Sequence, residues 1–284
     1  MAMTISQTDP TFATLLTRAV SEPGLVSRAY SAFHGYSFGN QLLALVQCLE
    51  RGLTPGPIAT FLGWKDKGRF VWKGEKAIVL CMPVTCKRRQ DESDDDPTTP
   101  SQAAPATFTR FIYRPRWFVL SQTEGAAVET PAIEEWDAAR ALDALDVREE
   151  PFAHLDGNCQ GYAHDRAIAV SPIAELPHKT RFHELAHVVL GHTTEGTLTD
   201  DALTQRSLRD VEAEAVAMVC LEALGLPGAE HCRGYIQHWN AARGAERGAE
   251  PIPERSAQKI FKAADTILRA GRASQLDDTV LAAA

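Results

Sequence analysis

The sequence is short of the features that define several large classes of protein. Only 7% of its 284 residues are aromatic, and no apolar stretch approaches the roughly 18 residues that a transmembrane helix needs. Its six cysteines are scattered without the spacing of a small secreted scaffold, so we expect reduced thiols. Residues 1–20 lack a basic start followed by an apolar run, so a secretory signal is not expected and the predicted location is the cytoplasm. Basic charge is not in excess either, because the net charge is −8, which taken alone argues against a nucleic-acid-binding protein.

What the sequence does contain is ordinary globular composition, with 44% hydrophobic and 23% charged residues. The length exceeds that of a usual single domain, so we expect two domains and an α+β fold. The predicted N-terminal α/β domain covers 1–125 and contains a disordered, acid-rich insertion at 87–106. A linker with a short helix follows at 126–150, and a mainly helical domain with a small β-sheet at 151–284. The predicted helices are 12–32, 40–51, 177–190, 204–224 and 257–270, and the predicted hairpins are 77–84 with 108–120 and a short one within 161–170.

The strongest motif is HELAH, which begins at His183 and has the form HExxH. Two histidines at i and i+4 project from one face of a helix, and this spacing suits a tetrahedral zinc ion bound by His183 and His187. Glu184 adjoins the first of them and can take a proton from a water molecule at the metal. Because His192 stands one residue beyond Gly191, where the helix is expected to end, it is a poor third ligand. The alternative is a surface helix with two solvated histidines.

A third ligand is expected from the helix RDVEAEAVAMV, which is apolar nearly all round apart from its acids. Carboxylates on a buried helix need a metal or a cation nearby, because an unpaired buried charge is expensive. Asp210 and Glu214 share a helical face, whereas Glu212 lies roughly 200° away from Asp210. All three remain candidates from spacing alone, and pairing with Arg206, Arg209 or solvent is the competing explanation.

HELAHVVLGH followed by RDVEAEAVA resembles the zincin metallopeptidases in which a second helix supplies the third ligand. The resemblance implies that Asp210 is that ligand and that Glu214 lies behind the metal ligands. This chain departs from the family pattern by having Asp where Glu is usual, so Glu214 or Glu212 could ligate instead. The expected cofactor is one zinc ion per chain, with Mn²⁺ or Co²⁺ as possible substitutes. For the oxyanion donor, Tyr162, His192, His231 and Tyr235 are all candidates.

A second signal lies between Arg51 and Arg89, where nine basic residues face two acids in a chain whose total charge is negative. Aromatic residues are interleaved with them, and basic side chains with flat rings are what single-strand binding requires. The competing explanation is that the rings are core and the lysines form a solvated face. The predicted nucleic-acid-binding residues are Lys65, Lys67, Arg69, Lys73, Lys76, Trp64, Trp72, Arg114 and Arg116.

The runs YSFGNQLLALVQ, FLGWKDKGRFVWKGEKAIVLCMP and FVLSQTEG are similar to the N-terminal single-stranded-DNA-binding domain of ArdC-type antirestriction proteins. In that family this domain precedes a zincin-like domain, the order found here. The resemblance implies a mobile-element protein that binds incoming single-stranded DNA and shields it from restriction, with a zinc metallopeptidase domain whose protein substrate is unknown. Two alternatives stay open: a non-catalytic protecting protein with a structural zinc site, and a regulatory peptidase that cleaves a repressor.

Overall fold

The computed structural model describes residues 11–87, 107–129, 132–154, 159–193, 206–244 and 252–273. The predicted disordered insertion at 87–106 lies outside this part of the chain except at its first residue. The helices are α1 Phe12–Ser21, α2 Leu25–Phe33, α3 Phe38–Glu50, α4 Phe61–Asp66, α5 Ala138–Ala144, α6 Pro177–Val189, α7 Arg206–Leu224, α8 Ala229–Gly244 and α9 Glu254–Ala270. The strands are β1 Ile58–Thr60, β2 Arg69–Val71, β3 Ile78–Lys87, β4 Thr107–Val119, β5 Thr123–Gly125, β6 Arg148–Glu149, β7 Gly161–His164 and β8 Ala167–Val170. This mixture of helices with small sheets confirms the predicted α+β class.

The first predicted helix, 12–32, is two helices. Pro23 and Gly24 separate α1 from α2, and Gly24 has φ +83°, a left-handed conformation that ends the helical run. The predicted second helix is α3, which begins after Ser37 as expected, although the Ser37 side chain makes no capping hydrogen bond.

The predicted long hairpin is confirmed by the antiparallel pairing of β3 with β4, in a sheet of order β1-β4-β3. Its exposed edge is covered by α3. The Asn40 amide donates to the Cys81 carbonyl at 2.9 Å and accepts from the Cys81 N–H at 2.8 Å. Gln47 makes the same two-way contact with Val79, at 2.8 and 2.9 Å. These amides satisfy the backbone groups of Val79 and Cys81 on the side of β3 that faces away from β4, as a covering helix does for an edge strand.

The C-terminal part has a sheet of order β6-β8-β7 beside α6, which in turn packs on α7. Helix α7 is buried on every side from Val211 to Leu221, as its composition predicted. Helix α8 is not among the predicted helices, because Gly234 and several polar residues weaken its amphipathic pattern.

The N-terminal helices and the C-terminal helices share one continuous core, in which α2 packs on α7 and α1 packs on α9. A buried ion pair reinforces the contact. Glu222 accepts from the guanidinium of Arg233 and, at 3.2 Å, from the Val26 N–H, while Arg233 donates to the Val20 carbonyl at 2.8 Å. The predicted boundary in 126–150 is therefore crossed by packing, and the division into domains stays a prediction. No helix in the described ranges is long and apolar enough to span a membrane.

Candidate metal centre and basic face

Helix α6 carries the HExxH motif and is fixed at both ends by its sequence. Pro177 occupies its first turn, and Gly191, with φ +77°, turns the chain away just after its last residue. The apolar side chains Phe182, Leu185 and Ala186 are fully buried against the core. Their burial fixes the rotation of the helix about its axis.

The two histidines of the motif converge. The Nε2 atoms of His183 and His187 are 3.1 Å apart. Two nitrogens bound to one tetrahedral zinc ion would be about 3.3 Å apart, given Zn–N bonds of about 2.0–2.1 Å. The spacing in the helix therefore produces a pair of nitrogens that fits one ion.

Helix α7 places a carboxylate behind the first histidine. Glu214 accepts from Nδ1 of His183 at 2.8 Å through one oxygen and from the ammonium of Lys179 at 2.8 Å through the other. Burial alone would raise the pKa of Glu214, but the hydrogen bonds from His183 and Lys179 lower it to about 2. Glu214 is thus ionised and holds the ring of His183 in one orientation.

The second histidine is held by a longer chain of hydrogen bonds. The chain turns at Gly191 and brings His192 back, so that its Nδ1 is 3.1 Å from Nδ1 of His187. Nε2 of His192 is in turn 3.1 Å from a carboxylate oxygen of Glu212. The side chains of His192 and Glu212 are 3% and 2% exposed, so this pair is shut off from solvent.

These contacts determine which nitrogens carry protons. A carboxylate only accepts, so Nδ1 of His183 and Nε2 of His192 are donors. Nδ1 of His192 and Nδ1 of His187 share the hydrogen bond between the two rings. Burial, with the charges of His183, His192 and Arg209, lowers the pKa of His187 to about 3, which keeps its ring neutral. The Nε2 atoms of His183 and His187 face each other on the side of each ring away from these partners, where one cation could be shared between them.

Glu184 lies beside this pair and is 8% exposed. Burial is the main cause that raises its pKa, to about 7, while His183 and Lys179 oppose the shift and the charge of Asp210 adds to it. Strand β7 runs close by, since a Cβ added to Gly161 would lie 3.1 Å from Cγ of Glu184. A carboxyl group with this pKa can both accept and release a proton near neutrality.

The described residues do not bring a third ligand together with His183 and His187. Asp210 is half-buried on α7 and makes no hydrogen bond or ion pair with the described residues, although its charge raises the pKa of Glu184 and of Tyr235. Glu212 and Glu214 are engaged as described above. Within the described ranges, no three His, Cys, Asp or Glu side chains are grouped to hold a metal ion. The roles of all three acids stay predictions.

The four candidates for the oxyanion donor differ in their exposure and in the side chains that they contact. Tyr235 is 45% exposed on α8, within electrostatic range of Asp210 and Glu214. His231 is exposed and pairs with Glu230 at 3.3 Å, whereas Tyr162 packs against the rings of Phe152 and His154. His192 belongs to the hydrogen-bonded chain behind His187.

The predicted nucleic-acid-binding residues divide into exposed and structural ones. Trp64 is 1% exposed and its Nε1 donates to the Phe118 carbonyl at 2.8 Å, so the prediction that it stacks on bases is wrong. Trp64 is the fourth residue of the short helix α4 and the one that this helix buries. Arg69 donates to Thr123 at 2.8 Å and to the carbonyls of Gly125 and Ala126, which ties β2 to β5. The exposed members are Lys65, Lys67, Trp72, Lys73, Lys76, Arg114 and Arg116.

Strand β2 and the residue after it present two rings to solvent. Phe70 and Trp72, two positions apart and hence on one face, are 58% and 47% exposed. Phe61 on α4 is 54% exposed and Phe111 on β4 is 61% exposed. We call the exposed lysines 65, 67 and 73, together with Phe70 and Trp72, the basic face. Phe111 is not among the residues predicted to bind nucleic acid.

The fold and this arrangement define an α+β protein with an HExxH helix packed on an acidic partner helix. Residues 17–111 match the family model described as the N-terminal domain of anti-restriction factor ArdC. Over 92% of this chain and 97% of the other, the fold is similar to the metal-free crystal structure of the antirestriction protein ArdC from the R388 plasmid, with a TM-score of 0.55 and 17% identity. A Mn(II)-bound structure of that protein gives a TM-score of 0.49 at 17% identity over 93% and 99% of the two chains.

Among curated proteins no match was found. The match to the ArdC N-terminal domain model is confined to residues 17–111, whereas the likeness to the ArdC crystal structure extends over most of the chain and shows an ArdC-like fold. The resemblance predicted from the sequence is thereby confirmed.

Proposed function

We propose that this chain is an ArdC-type antirestriction protein that binds single-stranded DNA through its basic face and holds a zinc ion, with peptidase activity, at His183 and His187. The observation that carries the metal site is the pair of Nε2 atoms 3.1 Å apart, with each ring held by a partner on its far side. Asp210 is the proposed third ligand.

The chemistry follows from the surroundings of Glu184. When bound, a zinc ion supplies Lewis-acid chemistry and acidifies water. Glu184, with a pKa of about 7, accepts a proton beside it and can deliver that proton to a leaving amine. Glu214 and the His192–Glu212 pair hold the two histidine rings in position.

Strand β7 offers a place for an extended peptide. It is an edge strand of its sheet. The Ser171 N–H donates to the Gln160 carbonyl at 2.8 Å, and antiparallel alternation then turns the backbone groups of Gly161 and Ala163 towards the edge, where the Gly161 carbonyl accepts from the Cys159 thiol at 3.1 Å. A substrate that added a strand there would pass beside Glu184.

Metal analysis of the purified protein tests the site. We expect about one zinc ion per chain, lost in His183→Ala and in His187→Ala. His231→Ala, which changes an exposed histidine on α8, is the matched control and should retain the metal. Stoichiometric zinc in the His183→Ala/His187→Ala double variant would refute the site.

The alternative functions are separated by Glu184→Gln. The substitution should preserve folding and metal content but abolish hydrolysis of an unfolded protein such as casein. If this variant still protects incoming DNA as well as the wild type does, protection is independent of peptidase activity and the non-catalytic alternative is correct. If the wild type hydrolyses a protein but binds neither single-stranded nor double-stranded oligonucleotides, the regulatory peptidase is favoured.

A further inference from the structure

A pocket of about 700 Å³ lies between α2 and the turn that precedes β1. It belongs neither to the candidate metal centre nor to the residues that define the basic face. Every residue that lines it is at least partly exposed, so a ligand has access to the whole wall. Its polar side chains are those of Ser27, Arg28, Ser31, Thr54 and Ser121.

The part of the wall outside α2 is fixed by hydrogen bonds. The Leu120 N–H donates to the Pro57 carbonyl at 2.8 Å, and the Ser121 hydroxyl donates to the Thr54 carbonyl at 3.0 Å. Pro55 and Pro57 also restrict the backbone of the turn, because the proline ring fixes φ. These constraints hold the turn in place, so the pocket does not depend on a ligand for its shape.

Among the described residues, Arg28 is the only cation that lines the pocket, and no acid lines it. The Arg28 side chain is exposed and makes no hydrogen bond or ion pair with any residue in the described part of the chain. Residues 24, 25, 31 and 32, which lie one turn from it along α2, carry no charge. By contrast, Arg18 on α1 pairs with Glu22 and Glu50 at 2.7 and 3.6 Å. The positive charge of the pocket is therefore available to an anion.

Three hydroxyl groups accompany this cation. Ser27 and Ser31 are one helical turn apart on α2, and Thr54 belongs to the turn before β1. Within the described ranges none of their hydroxyls makes a hydrogen bond, so each has a proton to donate. A guanidinium only donates, so the group that suits all four side chains is an acceptor with several oxygens. A phosphate is such a group, and its oxygens match the planar fork of an arginine.

The pocket adjoins the basic face through the residues that follow β4. Ser121 lines the pocket, and the carbonyl of the next residue, Gln122, accepts from the Trp72 N–H at 3.1 Å. Trp72 is one of the two exposed rings of the basic face. The wall of the pocket and the backbone of Trp72 are therefore adjacent, and a single strand that stacks on this ring passes near the pocket.

We propose that this pocket, the Arg28 pocket, holds a phosphate group of single-stranded DNA whose bases lie on the basic face. Arg28 supplies the charge, and the three hydroxyls supply hydrogen bonds. The inference rests on the proposed single-strand function and adds a backbone contact on α2, a helix that contains none of the nucleic-acid-binding residues predicted from the sequence. An acidic peptide offers the same charge, but the neighbouring Trp72 favours a ligand that has flat bases next to its anionic groups.

Titrations of a fluorescein-labelled (dT)₁₅ oligonucleotide at several salt concentrations test the role of the charge. Arg28→Ala should reduce the slope of log K against log salt by about 0.7, since one phosphate is no longer neutralised, and raise Kd by about 3- to 10-fold. Arg28→Lys keeps the charge but not the fork, so it should retain the slope with an intermediate Kd. Arg148→Ala removes the same charge from a side chain that is 74% exposed on β6, and it should change neither quantity.

Arginine footprinting of the wild-type protein gives a readout that needs no variant. p-Hydroxyphenylglyoxal modifies exposed guanidinium groups, and mass spectrometry measures the extent of modification at each arginine. We expect (dT)₁₅ to slow the modification of Arg28 but not that of Arg148. Inorganic phosphate at the same concentration of phosphate groups should slow neither.

Two outcomes would overturn the Arg28 pocket while leaving the proposed function intact. One is an unprotected Arg28 together with an unchanged salt slope in Arg28→Ala, although the wild type binds (dT)₁₅. The other is equal protection of Arg28 by inorganic phosphate, which would make the pocket a site for a free anion. Failure of the wild type to bind (dT)₁₅ would overturn both the pocket and the proposed single-strand function.

Discussion

The candidate metal centre and the basic face use charged residues in opposite ways. At the metal centre, Glu212, Glu214 and His192 are buried, and each hydrogen-bonds another ionisable side chain. On the basic face, Lys65, Lys67 and Lys73 are exposed, and they have no ion pair with any described residue. Buried networks hold a geometry in place before a ligand arrives, whereas exposed cations supply attraction to a flexible anion without fixing its position.

The largest expected effect comes from breaking the buried network. Glu214→Ala removes the partner of Lys179 and of His183 together, and Lys179 is only 25% exposed. Loss of one member of such a pair should lower the free energy of unfolding by about 3–5 kcal/mol. Urea unfolding in the presence of EDTA measures this without a contribution from bound metal.

Glu230→Ala is the control for that experiment, since Glu230 is 68% exposed and its carboxylate contacts its neighbour His231 and local backbone N–H groups rather than a buried network. We expect a change within about 0.5 kcal/mol. If Glu214→Ala were as stable as Glu230→Ala, the network would hold the rings without stabilising the fold, and the contrast between the two regions would disappear.

The two tryptophans test the contrast within the N-terminal part. Trp64→Ala should lower the free energy of unfolding by about 3–5 kcal/mol, because it empties a buried site and leaves the Phe118 carbonyl without its donor. Trp72→Ala should leave stability nearly unchanged but weaken single-strand binding by about 1–3 kcal/mol. Unfolding curves and binding titrations on both variants separate these effects. Equal loss of stability in the two would show that Trp72 is also core.

A third expectation concerns pH. Burial raises the pKa of Asp265 to about 6 from 3.8, and Arg269 only partly opposes this. Because the folded state then binds the proton more tightly, stability should fall as pH rises from about 4 to about 6. The full effect corresponds to about 3 kcal/mol.

Asp265→Asn should remove this pH dependence and stabilise the protein at pH 7, while Asp143→Asn, at an exposed position, should do neither. Thermal unfolding between pH 4 and pH 7 provides the comparison. Destabilisation of Asp265→Asn at pH 7 would mean that the ionised carboxylate is worth more to Arg269 and to the Phe38 N–H than its burial costs.

How much of each region could be predicted from the sequence differs between the candidate metal centre and the basic face, and the reasons are physical. The i, i+4 spacing of His183 and His187 fixes their relative position once the helix forms, so their convergence was predictable. The return of His192 depends on the left-handed turn at Gly191, and its contact with Glu212 depends on how α6 packs on α7; neither follows from spacing. The spacing of aromatic residues among lysines does not show which rings are exposed. For this reason the prediction that Trp64 contacts nucleic acid is wrong, whereas Trp72 is exposed as that prediction requires.

The smallest expected effect is on the salt dependence of DNA binding by the basic face. If Lys65 and Lys73 each neutralise one phosphate, the Lys65→Ala/Lys73→Ala variant should reduce the slope of log K against log salt by about 1.4, with a modest and sequence-independent loss of affinity. Arg69→Ala is the informative control: its guanidinium already bonds Thr123 and the carbonyls of Gly125 and Ala126, so we expect lower stability with the slope retained. Titrations of (dT)₁₅ between about 50 and 200 mM salt resolve a change of this size. If Arg69→Ala flattened the slope and the double lysine variant did not, DNA would contact the β2–β5 junction rather than the exposed lysines, and the basic face would have to be redrawn around it.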